Sequence, residues 1–186
     1  MARGLHHPAV RSASAGVRIL LFALVVAGSA LPAEAQAQAV GCTLQAVGPP
    51  PRQVLRCRDG LTIEAEGGAD YTLLDSDRNG NPDAAQLRRG ALFVDTPARS
   101  GRRSFQIRTP QAIAAVRGTQ WFADVAGGRT SIFVAEGRVL VRRAAAPRGV
   151  VLGPGQGVDV EPGRAPLEVR RWPPPRVSAL LARFGR

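Results

Sequence analysis

The chain has 186 residues and a formal net charge of +11, set by 25 basic and 14 acidic side chains; every basic one is arginine, and the only histidines are His6 and His7. That composition removes Ser–His, Cys–His and Schiff-base chemistry and denies zinc its usual nitrogen ligands, so no enzyme of those classes is expected. Scattered arginines with Tyr71 as the sole tyrosine do not make a nucleic-acid surface.

Residues 1–18 carry Arg3, Arg11 and Arg18 and no acid, and an uncharged apolar run follows from Ile19 to Leu31. The stretch "PAEAQAQA" then offers small-x-small sites ending at Ala35, Ala37 or Ala39. This order predicts a secretory signal peptide over residues 1–35 and a periplasmic or secreted product. The apolar run falls short of the roughly 20 residues that span a bilayer. An uncleaved anchor is the alternative, and no other segment is long and apolar enough to cross a membrane. About 150 residues remain, enough for one domain. Their charge, +9 once Arg3, Arg11, Arg18 and Glu34 are gone, has two readings. One is GC-rich codon bias; the other is attraction to lipid headgroups, lipopolysaccharide or another anionic glycan.

Residues 36–52 form an N-terminal segment holding Cys42, whose one possible mate is Cys57. In an oxidising compartment an even cysteine count predicts a bridge, and closing a loop of this size contributes about 3 kcal/mol. From Gln53 to Arg171 the pattern is strands and turns. "QVLRC", the tight turn Arg58–Gly60 and "LTIEAE" predict a β-hairpin. "YTLLD" is a further strand, and "DAAQLRR" (Asp83–Arg89) reads as one or two helical turns capped by Asp83. Strands are then expected at 91–95, 104–108, 112–117, 119–125, 130–135, 138–143 and 150–152. Gly127-Gly128 and Glu136-Gly137 are read as hairpin turns among them. The whole is an antiparallel all-β domain, sandwich or solenoid-like, with a Pro-rich linker and short C-terminal helix over residues 172–186. Val177, Leu180, Leu181 and Phe184 share one face of that helix, suited to core docking or, as the alternative, to facing a partner or membrane.

"DSDRNGNPD" places Asp75, Asp77 and Asn79 at positions one, three and five of a loop, glycine at six and Asp83 at nine, with the Asn81 carbonyl at seven. Alternating oxygens before a glycine turn gather calcium, although Gln86 stands where an EF-hand has its bidentate Glu. An Asx-rich turn bonded to its own backbone is the other reading, so no cofactor is required. Asp70, Asp75, Asp95, Asp124 and Glu136 are the carboxylates from which a glycan hydrolase would draw its pair. Trp121 and Phe122 alternate across one strand, so one ring faces each side; core packing is the default for Trp121, and contact with a sugar or protein is the alternative.

Arg117-Gly118-Thr119 interrupts an otherwise continuous run of β-formers. Glycine there suits a sharp bend, and Thr119 is placed to bond neighbouring backbone and fix it. The run resembles the FecR domain through Thr109-Pro110, Val116, Gly118-Thr119, Phe122, Glu136-Gly137, Val139, Val141, Leu152 and Gly155-Gln156. The ordered likeness covers residues 91–160. That resemblance implies an all-β periplasmic module of the kind that relays receptor occupancy to a sigma factor. The roughly 18 residues before the apolar run are too few for the family's cytoplasmic anti-sigma segment. The expected function is therefore a non-enzymatic recognition or signalling module of the cell envelope, binding a protein or anionic glycan. A calcium-dependent polysaccharide-binding adaptor and a carboxylate glycan hydrolase are the rivals. The oligomeric state is left open.

Overall fold

The computed structural model describes residues 41–97, 104–116 and 118–186. The predicted signal peptide, the anchor alternative and Arg117 lie outside them. β1 (Cys42–Val47), β2 (Arg52–Cys57) and β3 (Thr62–Glu66) form an antiparallel meander. Cys42 sits directly opposite Cys57 in the ladder, and the two sulfurs are bonded. The β2–β3 turn closes as read from sequence: Asp59 accepts the Leu61 amide and Gly60 takes a φ of 85°.

β4 (Asp70–Leu74) leads to β5 (Ala84–Thr96), which absorbs the stretch expected to be helical. Residues 84–89 are strand because Ala84, Ala85 and Leu87 are buried and their backbone pairs on both sides. One neighbour is β4, antiparallel, and the other is β6 (Phe105–Arg108), parallel. Beyond Gly90 the same strand leaves these partners for β3 and for β8 (Thr119–Ala126), both antiparallel. Gly90 makes the switch possible. Its φ is 83°, and a Cβ there would come within 2.9 Å of Ala69 Cα.

β5 thus belongs to two layers. The first runs β1–β2–β3–β5–β8 and continues through β9 (Arg129–Glu136) and β12 (Gln156–Val160) to β13 (Arg170–Arg171). The second runs from β4 through the first half of β5 and β6 to β7 (Ala112–Val116), β10 (Val139–Arg143) and β11 (Gly149–Leu152). One buried cluster fills the space between them, with Leu55, Ile63, Val94, Trp121 and Ile132 from the first layer and Leu87, Ile107, Val116, Val139 and Leu152 from the second. Inward side chains alternate with outward ones, as a pleated strand requires.

β7 ends at Val116 in the second layer and β8 begins at Thr119 in the first, so the interrupted run falls at a corner, as expected. Glu136-Gly137 is a corner too, which corrects the hairpin reading. β9 pairs with β8 and β12, whereas β10 pairs with β7 and β11. Gly127-Gly128 does close a hairpin, between β8 and β9.

The outer face of the first layer is covered by the C-terminal residues, including α1 (Pro174–Ala182). Leu180 and Phe184 are buried there, with Val177 and Leu181 packed at the margin, so the predicted apolar face docks on the core. No helix among the described residues is long and apolar enough to cross a membrane.

Candidate functional site

The family-type residues build corners. Thr119 donates its hydroxyl to the Arg138 carbonyl at 3.1 Å, tying the β7–β8 corner to the β9–β10 corner. Its amide donates to Thr96 Oγ1 at 3.0 Å, and Thr96 returns a bond to the Thr119 carbonyl. Gly118 and Gly137 both have positive φ, 64° and 82°. A Cβ on Gly137 would fall 2.6 Å from the Gly118 oxygen, so Val-x-Gly-Thr and Glu-Gly touch through bare backbone. Thr109 accepts the Ala112 amide and closes the β6–β7 turn beside Pro110, while Thr130 from β9 lies 2.8 Å from its hydroxyl. Gln156 Oε1 accepts the Gly153 amide at 2.7 Å, and Gly155 donates to the Val134 carbonyl. Each residue is used to shape backbone.

The loop at residues 75–83 bonds to itself. Asp75 accepts the Asn79 amide at 3.2 Å and the Gly80 amide at 2.9 Å, and Asp77 accepts the Asn79 side-chain amide at 2.9 Å. Asn79 accepts the Asn81 amide, and Asp83 accepts both the amide and hydroxyl of Ser76. This is the Asx-rich arrangement, in which side-chain oxygens replace backbone acceptors. Among the described residues no group of three or more His, Cys, Asp or Glu is placed to hold a metal ion.

The five carboxylates considered for hydrolysis have separate engagements. Asp70 pairs with Arg88, Asp95 accepts from Gln120 and Asp124 binds Arg183, while Asp75 serves its loop and Glu136 is exposed at the end of β9. Trp121 is fully buried between the layers, which corrects its candidacy as a contact. The alternation with Phe122 is real, but Phe122 is buried as well, because the C-terminal segment covers the face on which it lies. On β4, burial pushes the Tyr71 phenol up to about 12, and its hydroxyl donates to Gln53.

Sequence reasoning missed the organisation of that outer face. Glu64, Phe93, Phe122, Phe133 and Gly157 stand opposite one another in a single row across five strands. Beside it, Asp124, Ser131 and Asp159 form a second row. The C-terminal segment matches both. Trp172 stacks on Phe133 at a centroid distance of 5.1 Å and lies over Gly157, where a Cβ would meet the indole at 2.2 Å. The Arg176 guanidinium covers the Trp172 ring at 3.5 Å and bonds both Asp159 oxygens, at 2.6 and 2.9 Å. Arg183 grips Glu66 and Asp124 together, each through two hydrogen bonds of 2.6–3.0 Å. Arg186 bonds Glu64 and lies 4.1 Å above the Phe93 ring.

Charges on this face respond to their partners. Burial pushes the Asp159 carboxyl up, but hydrogen bonds from Arg176 and Ser131 and the charges of Arg176 and Arg129 outweigh it and hold the group below its usual value. The hydrogen bonds Arg183 donates to Glu66 and Asp124 hold its guanidinium above the ordinary arginine range, so it stays charged at any working pH. A sequence signal existed: Arg176 and Arg183 are seven apart, two turns along one helical face.

A two-layer all-β module, locked at its corners by threonine and glycine, is the class of protein that this geometry defines. Residues 46–140 match the FecR protein family, half of the chain, and the chain belongs to that family. No curated protein compared with it matches. Two crystal structures of a protein assigned as an anti-sigma factor from Parabacteroides distasonis share the fold, with TM-scores of 0.57 and 0.56 at 18% identity. In both, the likeness covers 75% of this chain and 64% of the solved one, so this chain spans less than two thirds of their length.

Proposed function

We propose that the chain is a non-enzymatic signalling module of the cell envelope that recognises another protein. Family membership and the assignment of the solved neighbours as anti-sigma factor support a regulatory role. The predicted signal peptide supports a place outside the cytoplasm, and the use of the motif residues for backbone geometry supports binding over chemistry.

One surface observation carries the reading. Leu140 on β10 and Val151 on β11 are 45% and 57% exposed and stand directly opposite each other, at the end of the strand order. Exposed apolar side chains on a terminal strand suit strand addition, in which an extended partner segment pairs with the edge and seats alternate side chains. A photo-crosslinking residue at position 151 in intact cells tests this. The expected result is one discrete protein adduct that disappears with Leu140→Glu. Adducts to lipopolysaccharide alone would favour the anionic-glycan reading. Glycan turnover by purified protein, abolished by Asp124→Asn, would replace both readings with a hydrolase.

A further inference from the structure

We propose that the aromatic-and-acidic outer face of the first layer is a binding groove for an arginine-bearing amphipathic helix, which the chain fills with its own residues 172–186 and releases to a partner helix of the same chemistry. This is a separate surface from the β10–β11 edge and does not rest on that reading.

The groove is built without the segment that fills it. Phe93, Phe122 and Phe133 lie on three adjacent, fully laddered strands, and the main core on the other side of those strands contains no residue of the segment. Carboxylates on the same face supply the recognition. Asp124 and Asp159 flank Ser131, and Glu66 reaches in from the end of β3, its Oε1 already fixed by the Ala91 amide at 2.9 Å. Without the segment, Arg129 of β9 still stands 4.0 Å from Asp159, but Glu66 and Asp124, which Arg183 now bridges, are left as neighbouring like charges beside an aromatic floor. A short helix with arginines two turns apart and apolar side chains between them answers both features.

The bound segment has little hold on its own conformation. Its helix has nine residues and begins on two prolines, with no side-chain cap, no acid in the first turn and no base in the last. A helix of that length is marginal in water and depends on what it packs against. Its ion pairs are partly open to solvent: Arg176 and Arg183 keep 36% and 34% of their side-chain exposure, so salt weakens them. A solvent-open cleft of about 220 Å³ lies along this edge, where Asp124, Arg129 and Ser131 face Arg176, Leu180 and Arg183, so water reaches the ion pairs there. Seated aromatics with well-bonded but solvent-reachable charges on a helix that is marginal by itself describe a ligand that can be exchanged.

The test uses the full chain. The probe is a fluorescent synthetic peptide of residues 172–186, with a control peptide in which Arg176, Arg183 and Arg186 are glutamine. The double variant R176E/R183E repels its own segment from the acidic row, and its far-ultraviolet spectrum reports whether the sheets persist. The folded variant should bind the arginine peptide saturably and the glutamine control at least about tenfold more weakly. Wild-type protein should bind the arginine peptide at least about tenfold more weakly than the variant does, because its groove is occupied. Hydrogen exchange on wild-type protein supplies the second measurement: amides 177–182 should exchange well ahead of those in β8 and β9. Equal binding of both peptides, or no binding by a folded variant, overturns the proposal. So does helix exchange in step with the sheet, which would make the segment a fixed part of the core; that result decides the matter even if the variant does not fold.

Discussion

Gly137→Ala is the sharpest perturbation of the corner lock. The residue sits at φ 82°, where an L side chain costs roughly 1–2 kcal/mol. Its Cβ would also lie 2.6 Å from the Gly118 oxygen and 2.8 Å from Thr119 Oγ1. The first of these atoms is backbone and cannot swing aside, so relief requires moving a corner held by the Thr119–Arg138 bond. Overpacking of this kind costs about 1–3 kcal/mol, giving a total near 3 kcal/mol. At about 2–4 °C per kcal/mol for a chain of this size, Tm should fall by about 6–12 °C. Gly128→Ala is the matched control, since its φ is 73° and no atom lies within 4 Å of the added Cβ. That variant should lose only the conformational part, about 2–8 °C. Circular dichroism melts of the three proteins measure both shifts. Equal losses in the two variants would refute the claim that the corners meet through bare backbone.

The Asp159 carboxyl is held below its ordinary value of 3.8, so its pairing stabilises the fold above that pH and is lost as pH falls through the lowered value. Melting of wild-type protein should therefore change little on this account between pH 7 and 5 and drop below pH 4. Asp159→Asn should show a lower Tm at pH 7 and a smaller acid drop; parallel acid profiles would remove Arg176–Asp159 from the account. For the loop at 75–83, whose carboxylates already serve loop amides, calcium should leave Tm unchanged. A calcium-induced rise that vanishes in D75A/D77A would establish the metal reading instead.

Much of the fold could be read along the chain because its signals were local. β2–β3 and β8–β9 are short runs rich in β-formers that turn at Asp59-Gly60 and Gly127-Gly128, so composition and turn chemistry agree. β5 misled because its alternation changes phase at Gly90. Ala85 and Leu87 face the core before it, Leu92 and Val94 after it, and the short first half no longer resembles a strand. Glu136-Gly137 looks like a two-residue hairpin; its partners, Gly118 and Thr119, are distant in sequence, and nothing nearby announces them. The same limit hid the groove. The apolar face of α1 was visible in Leu180 and Phe184, but Arg183 finds Glu66 and Asp124 at separations of 117 and 59 residues. Trp121 kept two readings in the sequence, core packing and contact, because a strand pattern shows which side chains share a face, not what covers that face; its full burial settles it as core.

β5 acts as a keel, and its change of phase has an evolutionary corollary. One residue inserted or deleted within 84–96 would put half of the strand out of step, turning either Ala85 and Leu87 or Leu92 and Val94 toward the wrong side while the other half stayed true. Loops can lengthen and edge strands can vary, but the span around Gly90 should tolerate substitution far better than any change in length.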